Sequence, residues 1–280
     1  MYKRQASADI SVSAANEFQY KSWSDSTTST TNDTSMTNKQ TYTISASAVL
    51  DNGMSISSYL GTDGSDNFGD SGFSISGDFG TIGFAAQGND PGFVHGFDET
   101  ADLAGEGSAG TQFNLAGAAG ESVGYKLPSI VDGLTLAVEH SNEDTTESFG
   151  YGISYNAGIA TVGYAKVATN TTDYTAVNIA GSVSGIGFGV EKTEISNGTS
   201  IDEATKMGVS YTMDAITLAY EAGSAEDEGG DLDDYSQLAL SYAVAPGITT
   251  VLTSSEVNQV DTTDGAADVE SMEIQLKLSF

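Results

Sequence analysis

Apolar and polar side chains alternate with a period of two along nearly the whole of this chain. That period belongs to strands with one apolar and one polar face. In segment 8–22, Ala8, Ile10, Val12, Ala14, Phe18 and Tyr20 share a face; in the next segment Tyr42, Ile44, Ala46, Ala48 and Leu50 do so. Asp51-Asn52-Gly53 then forms a tight turn, and Met54, Ile56 and Leu60 resume the rhythm. Phe73 and Ile75 lead to a second turn at Gly77-Asp78-Phe79-Gly80, followed by Ile82, Phe84 and Ala86. Eleven further strands are expected at 119–129, 132–141, 147–157, 159–168, 173–183, 185–194, 204–213, 215–223, 234–244, 247–257 and 269–280. With five before residue 88, the expected total is sixteen. The best helical candidate, 99–119, holds four glycines, each costing about 1 kcal/mol in a helix interior.

The connections alternate in length. Short ones are expected at 51–53, 77–80, 130–132, 157–158, 183–185, 213–215 and 244–247. Long polar ones are expected at 23–38, 61–71, 88–118, 141–147, 168–173, 194–204, 223–234 and 257–269. Strict alternation describes a closed antiparallel meander with one plain rim and one elaborated rim. An even number of strands, each about ten residues long, predicts an all-β transmembrane barrel of the outer-membrane kind. Such a barrel turns its apolar face to lipid and keeps a wet lumen, where a soluble sandwich would bury that face against a second sheet.

Composition narrows the function. Lys plus Arg number 9 and Asp plus Glu number 39, a net charge of −30, which excludes nucleic acid as a partner because such binding rests on cationic contacts to phosphate. No cysteine is present, so disulfides and thiolate metal sites are excluded. His95 and His140 are the only histidines, too few to suggest zinc. No segment sets a nucleophile in a catalytic elbow, and no enzymatic activity is expected. Met1 to Gln5 (MYKRQ) is basic in a chain otherwise poor in cations. It reads as a translated library adapter, with residues 6–280 as a single barrel domain and the leader peptide lost by truncation.

The carboxy-terminal strand alternates without a break: Phe280, Leu278, Leu276, Ile274 and Met272 lie on one face, Ser279, Lys277, Gln275 and Glu273 on the other. A terminal Phe in this register resembles the assembly signal read by the barrel insertion machinery. Ile75-Ser76-Gly77-Asp78-Phe79-Gly80-Thr81-Ile82-Gly83-Phe84 resembles the turn from strand four to strand five of the Gram-negative general diffusion porins, of the alphaproteobacterial type. Ser122 to Ser129 (SVGYKLPS) resembles the strand after their constriction loop, and Asp132-Gly133-Leu134-Thr135-Leu136 the start of the next. The resemblance implies a homotrimer in the outer membrane, surrounded by lipid and lipopolysaccharide, each barrel holding a pore for small hydrophilic solutes. It also implies that the third long loop, 88–118, folds inward; unstructured loops of this length are commonly functional.

On that loop Asp90, Asp98, Glu99, Asp102 and Glu106, with His95, are the expected pore constriction, faced by Lys126 and Lys277. Parity also puts Lys21, Lys39 and Lys206, and Glu139, Glu191, Glu221 and Glu273, on polar faces, with Lys21 and Lys39 near the outer rim. One sign of charge around a narrow passage concentrates counter-ions, so a weak cation preference is expected. No cofactor is expected. The loop carboxylates Asp63, Asp66, Asp70, Asp231 and Asp233 are possible Ca²⁺ ligands, without the spacing of a known calcium loop. The competing expectation is an acidic extracellular adhesin or surface-layer module, which shares the composition but has no need of alternating loop lengths.

Overall fold

A computed structural model describes residues 8–25, 33–62, 70–85, 93–94, 121–143, 146–197, 201–226, 232–259 and 268–280. The adapter-like residues 1–5 and segment 99–119 lie outside them.

Sixteen strands form: β1 (Asp9–Asp25), β2 (Asp33–Val49), β3 (Ser55–Gly61), β4 (Asp70–Gly77), β5 (Gly80–Ala85), β6 (Glu121–Lys126), β7 (Leu134–Glu143), β8 (Thr146–Asn156), β9 (Ala160–Thr169), β10 (Asp173–Val183), β11 (Ile186–Ser196), β12 (Ile201–Met213), β13 (Ile216–Glu226), β14 (Leu232–Ala245), β15 (Ile248–Gln259) and β16 (Val269–Ser279). Each pairs antiparallel with its sequence neighbours, and β1 pairs with β16 to close the barrel. The closing seam runs from Asp25 opposite Val269 to Ala15 opposite Ser279. Beyond it, the amides of Ala14 and Phe280 donate to each other's carbonyls at 3.2 and 2.9 Å. Closure removes the unpaired edges that lipid could not satisfy.

The tight connections have the chemistry their geometry needs. Between β10 and β11, Ser184 and Gly185 both have positive φ, at 50° and 82°; this is the hairpin turn whose twist matches the flanking strands. At the β4–β5 turn Gly80 sits at φ 102° with the carbonyl oxygen of Lys126 where a Cβ would stand, so no other residue fits there without moving β6.

The first hairpin differs from expectation. Residues 23–38 read as a long polar connection, but the ladder continues from Lys21 opposite Ser35 to Trp23 opposite Asp33. A strand that rises above the lipid is wet on both faces, so its pairing continues after its alternation has ended.

The two faces are sharply different. Leu218, Leu240, Leu252 and Ile274 stand opposite one another across β13–β16 on the outer face, each 40–48% exposed. Tyr20, Tyr42, Tyr125, Tyr155, Tyr164, Tyr220 and Tyr242 share that outer face. Toward the extracellular side, outward Lys166 and Lys192 pair with Asp173 and Glu203, both at 2.8 Å. The inner face is polar and close-packed: Ser141, Asn178, Thr193, Gln237, Thr253 and Gln275 are buried there. The chief apolar cluster inside the barrel is Val94 with Ala137, Ala165, Val167 and Ala176.

Candidate functional site

The inner wall carries the chemistry. Strand parity and register put Lys21, Lys39, Lys126, Lys206 and Lys277 on it, together with Glu139, Glu191, Glu221 and Glu273. Four inward carboxylates were not singled out from sequence: Asp9 and Glu17 on β1, Asp33 on β2 and Asp202 on β12. Five lysines and eight carboxylates thus line the described wall, which by itself is modestly acidic.

Register decides which charges meet. Glu17 stands opposite Lys39 on β2 and opposite Lys277 on β16, with Lys277 Nζ 3.9 Å from its carboxylate. Glu273 stands opposite Lys21, and Glu191 opposite Lys206, these two only 5% and 8% exposed. Glu221 accepts a hydrogen bond from the Tyr235 hydroxyl at 3.0 Å. A lysine beside a carboxylate across a ladder is largely neutralised as seen by a distant ion.

Lys126 is on β6, opposite Thr81 and Ala137, while Lys277 belongs to the β16–β1–β2 group. One sequence expectation is corrected. Lys39 is not a rim residue, because β2 begins at Asp33 and Lys39 lies inside the row with Glu17 and Lys277. Parity identifies a strand's polar face, but the stagger that aligns three strands is set by the barrel.

The third long connection meets the inner wall of the barrel at Phe93 and Val94. Phe93 and Val94 are its described residues, and Val94 is fully buried. It packs on inward alanines and valine of β7, β9 and β10, with Phe93 and Tyr174 against the same cluster. Gly150 on β8 makes room for it: a Cβ there would lie 3.0 Å from Val94 Cγ1. Burying a valine contributes about 1.5–3 kcal/mol. The Phe93 and Val94 amides both donate to Glu139 Oε2, at 3.2 and 3.1 Å. This anchor was missed from sequence; its only signal is an apolar pair in a polar loop. In the closed strand order β9 and β1 are half a ring apart. The anchored loop root and the Lys277–Glu17–Lys39 row therefore occupy opposite walls. A cavity of about 640 Å³ opens beside that row, lined by Glu17, Lys39, Thr41, Thr217, Ser241, Thr249 and Lys277 among others.

Asp90, His95, Asp98, Glu99, Asp102 and Glu106 lie outside the described residues, as do Asp63, Asp66 and Asp231. Asp70 opens β4 and Asp233 lies in β14. His140 is outward, 3.7 Å from Glu147. Among the described residues no group of three or more His, Asp or Glu could hold a metal ion. Phe280, Leu278, Leu276 and Ile274 face outward, Phe280 being 77% exposed.

The sequence profile of the Gram-negative porins matches residues 5–264. No curated protein matches by sequence. Among solved structures, an anion-selective porin from Comamonas acidovorans is 12% identical, with a TM-score of 0.73 over 98% of this chain and 100% of its own. The trimer form of the outer-membrane protein OmpT of Vibrio cholerae is 12% identical, with a TM-score of 0.70 over 97% and 99%. The outer-membrane channel DcaP of Acinetobacter baumannii is 11% identical, with a TM-score of 0.72 over 98% and 97%. At these identities the likeness is one of fold.

Proposed function

The chain belongs to the Gram-negative porin family and so to the outer membrane, and on that premise we propose that it forms a homotrimeric, water-filled channel for passive diffusion of small hydrophilic solutes, with a weak preference for cations. The observation that carries the channel reading is the loop root held inside a closed barrel whose opposite wall keeps a cavity lined by charges and hydroxyls. Diffusion requires no cofactor and no bond-making residue. Liposomes containing the refolded protein are expected to swell in isotonic small sugars and not in a large dextran; sugar-independent swelling, or none, overturns the reading.

Cation preference is supported by charge placement. Segment 88–118 carries Asp90, Asp98, Glu99, Asp102 and Glu106 and no Lys or Arg, and four inward lysines, Lys21, Lys39, Lys206 and Lys277, lie directly opposite glutamates across the ladder. Pairing of the wall lysines with carboxylates across the ladder limits the field a passing ion meets and keeps the preference weak, and salt at marine strength weakens it further by shortening the screening length.

The trimer reading is supported by the outer face of β1–β4. Asn16, Asn38, Gln40, Ser58 and Ser71 point outward there among Phe18, Ile44, Leu60 and Phe73. The Tyr42 hydroxyl donates to Gln40 at 3.2 Å, and Phe73 stacks on Phe84 with ring centroids 4.5 Å apart. Lipid offers no hydrogen bonds to such groups, whereas a second copy does. β3 has seven residues, against the nine to eleven a tilted strand needs to cross the hydrocarbon layer. Ser58→Arg is expected to convert the oligomer on unboiled gels to monomer, while Val209→Thr on the outer face of β12 leaves it unchanged.

A further inference from the structure

We propose that Glu139 is the positioning residue of the channel: from the inner face of β7 its carboxylate pins the root of the inward loop by the Phe93 and Val94 amides, and so sets where the loop meets the wall. This rests on the channel reading above.

Three observations converge. Glu139 is 3% exposed, and a carboxylate that far from water needs donors. Two of them are consecutive backbone amides of a connection 45 residues earlier in the chain, both bonded to the same oxygen, Oε2. Adjacent amides converging on one anionic oxygen form the concave donor pair that favours anions, and charge-assisted bonds of this kind are about twice as strong as neutral ones. The third is apolar: Val94 fills the recess between Gly150, Ala165 and Val167. Packing alone would leave the segment free to slide along a smooth wall of small side chains. The two directional bonds remove that freedom.

The role also changes how Glu139 enters selectivity. Its carboxylate is engaged by the loop backbone and covered, so a passing ion meets it less directly than the half-buried Glu17.

The absence of cysteine makes the test clean. Val94→Cys introduces a single thiol, and its labelling by a small water-soluble maleimide is timed in the refolded oligomer. With Glu139 in place the thiol is protected. In the Glu139→Ala background its rate is expected to rise about tenfold or more, the scale of losing one charge-assisted hydrogen bond. Glu139→Gln keeps an acceptor oxygen and is expected to restore most of the protection. Glu139→Leu keeps the bulk without the acceptor and is expected to label as fast as Glu139→Ala. Equal rates in all backgrounds, or Leu protecting as well as Gln, overturn the proposal. If Glu139→Ala does not fold, the Gln–Leu comparison decides alone. Labelling does not depend on conduction: a protected thiol in a protein that passes no solute refutes the channel reading and leaves the positioning role standing. Conduction with Glu139-independent labelling does the reverse.

Discussion

An arginine at Leu240 is expected to destabilise the lipid-embedded barrel by about 2–4 kcal/mol, the cost of a cation on the lipid face near the bilayer midplane. Leu240 is 42% exposed in the middle of the Leu218–Leu240–Leu252–Ile274 row, with Tyr220 and Tyr242 on either side of it along the same outer face. In water that exposure would be an ordinary surface feature. In hydrocarbon it is where a guanidinium cannot keep its hydration. Ser241, one residue on, faces the lumen and lines the cavity shared with Lys39 and Lys277. Ser241→Arg is expected to cost much less stability and instead to move the zero-current potential toward anions. Urea unfolding in lipid vesicles measures the first effect and bilayer recordings the second. Equal small costs at both positions would indicate a barrel that does not stand in lipid.

Removal of Phe280 is expected to leave most of the protein unassembled in cells while refolding in detergent stays efficient. Phe280 ends the outward run Ile274, Leu276, Leu278, and its backbone exchanges two hydrogen bonds with Ala14 at the closing seam. In the finished barrel Phe280 is 77% exposed, so its side chain contributes little to folded stability. An exposed terminal aromatic that adds little stability is suited to recognition during insertion. Phe280→Tyr keeps the aromatic edge and is expected to assemble well; Phe280→Ala is expected to fail like the deletion. The membrane fraction of expressing cells, against refolding yield in vitro, separates a recognition role from a structural one. Equal losses in both assays contradict the recognition role.

Much of this architecture is legible from the chain, because water and lipid impose opposite demands on alternate residues. The strands from Leu134 to Asn156 and from Val269 to Ser279 were readable to within a few residues for that reason. Trp23 and Asp33 were not, because their strands stand where both faces are wet and alternation carries no signal. The face of Lys39 and Lys277 followed from parity. Their meeting across Glu17 did not, because stagger between strands is a property of the closed ring and leaves no local mark. Phe93 and Val94 read from the sequence as ordinary loop residues. Their significance depends on the small side chains of β7–β10 lying beneath them, which the fold brings together from distant segments.

The most direct test is the current through single oligomers in a planar lipid bilayer under a KCl gradient. Stepwise, ohmic conductance is predicted, with a zero-current potential of the sign set by potassium, shrinking as total salt rises. Glu17→Gln should bring that potential closer to zero by exposing Lys39 and Lys277. Absence of conductance steps, or a zero-current potential set by chloride in the unmodified protein, would contradict the account.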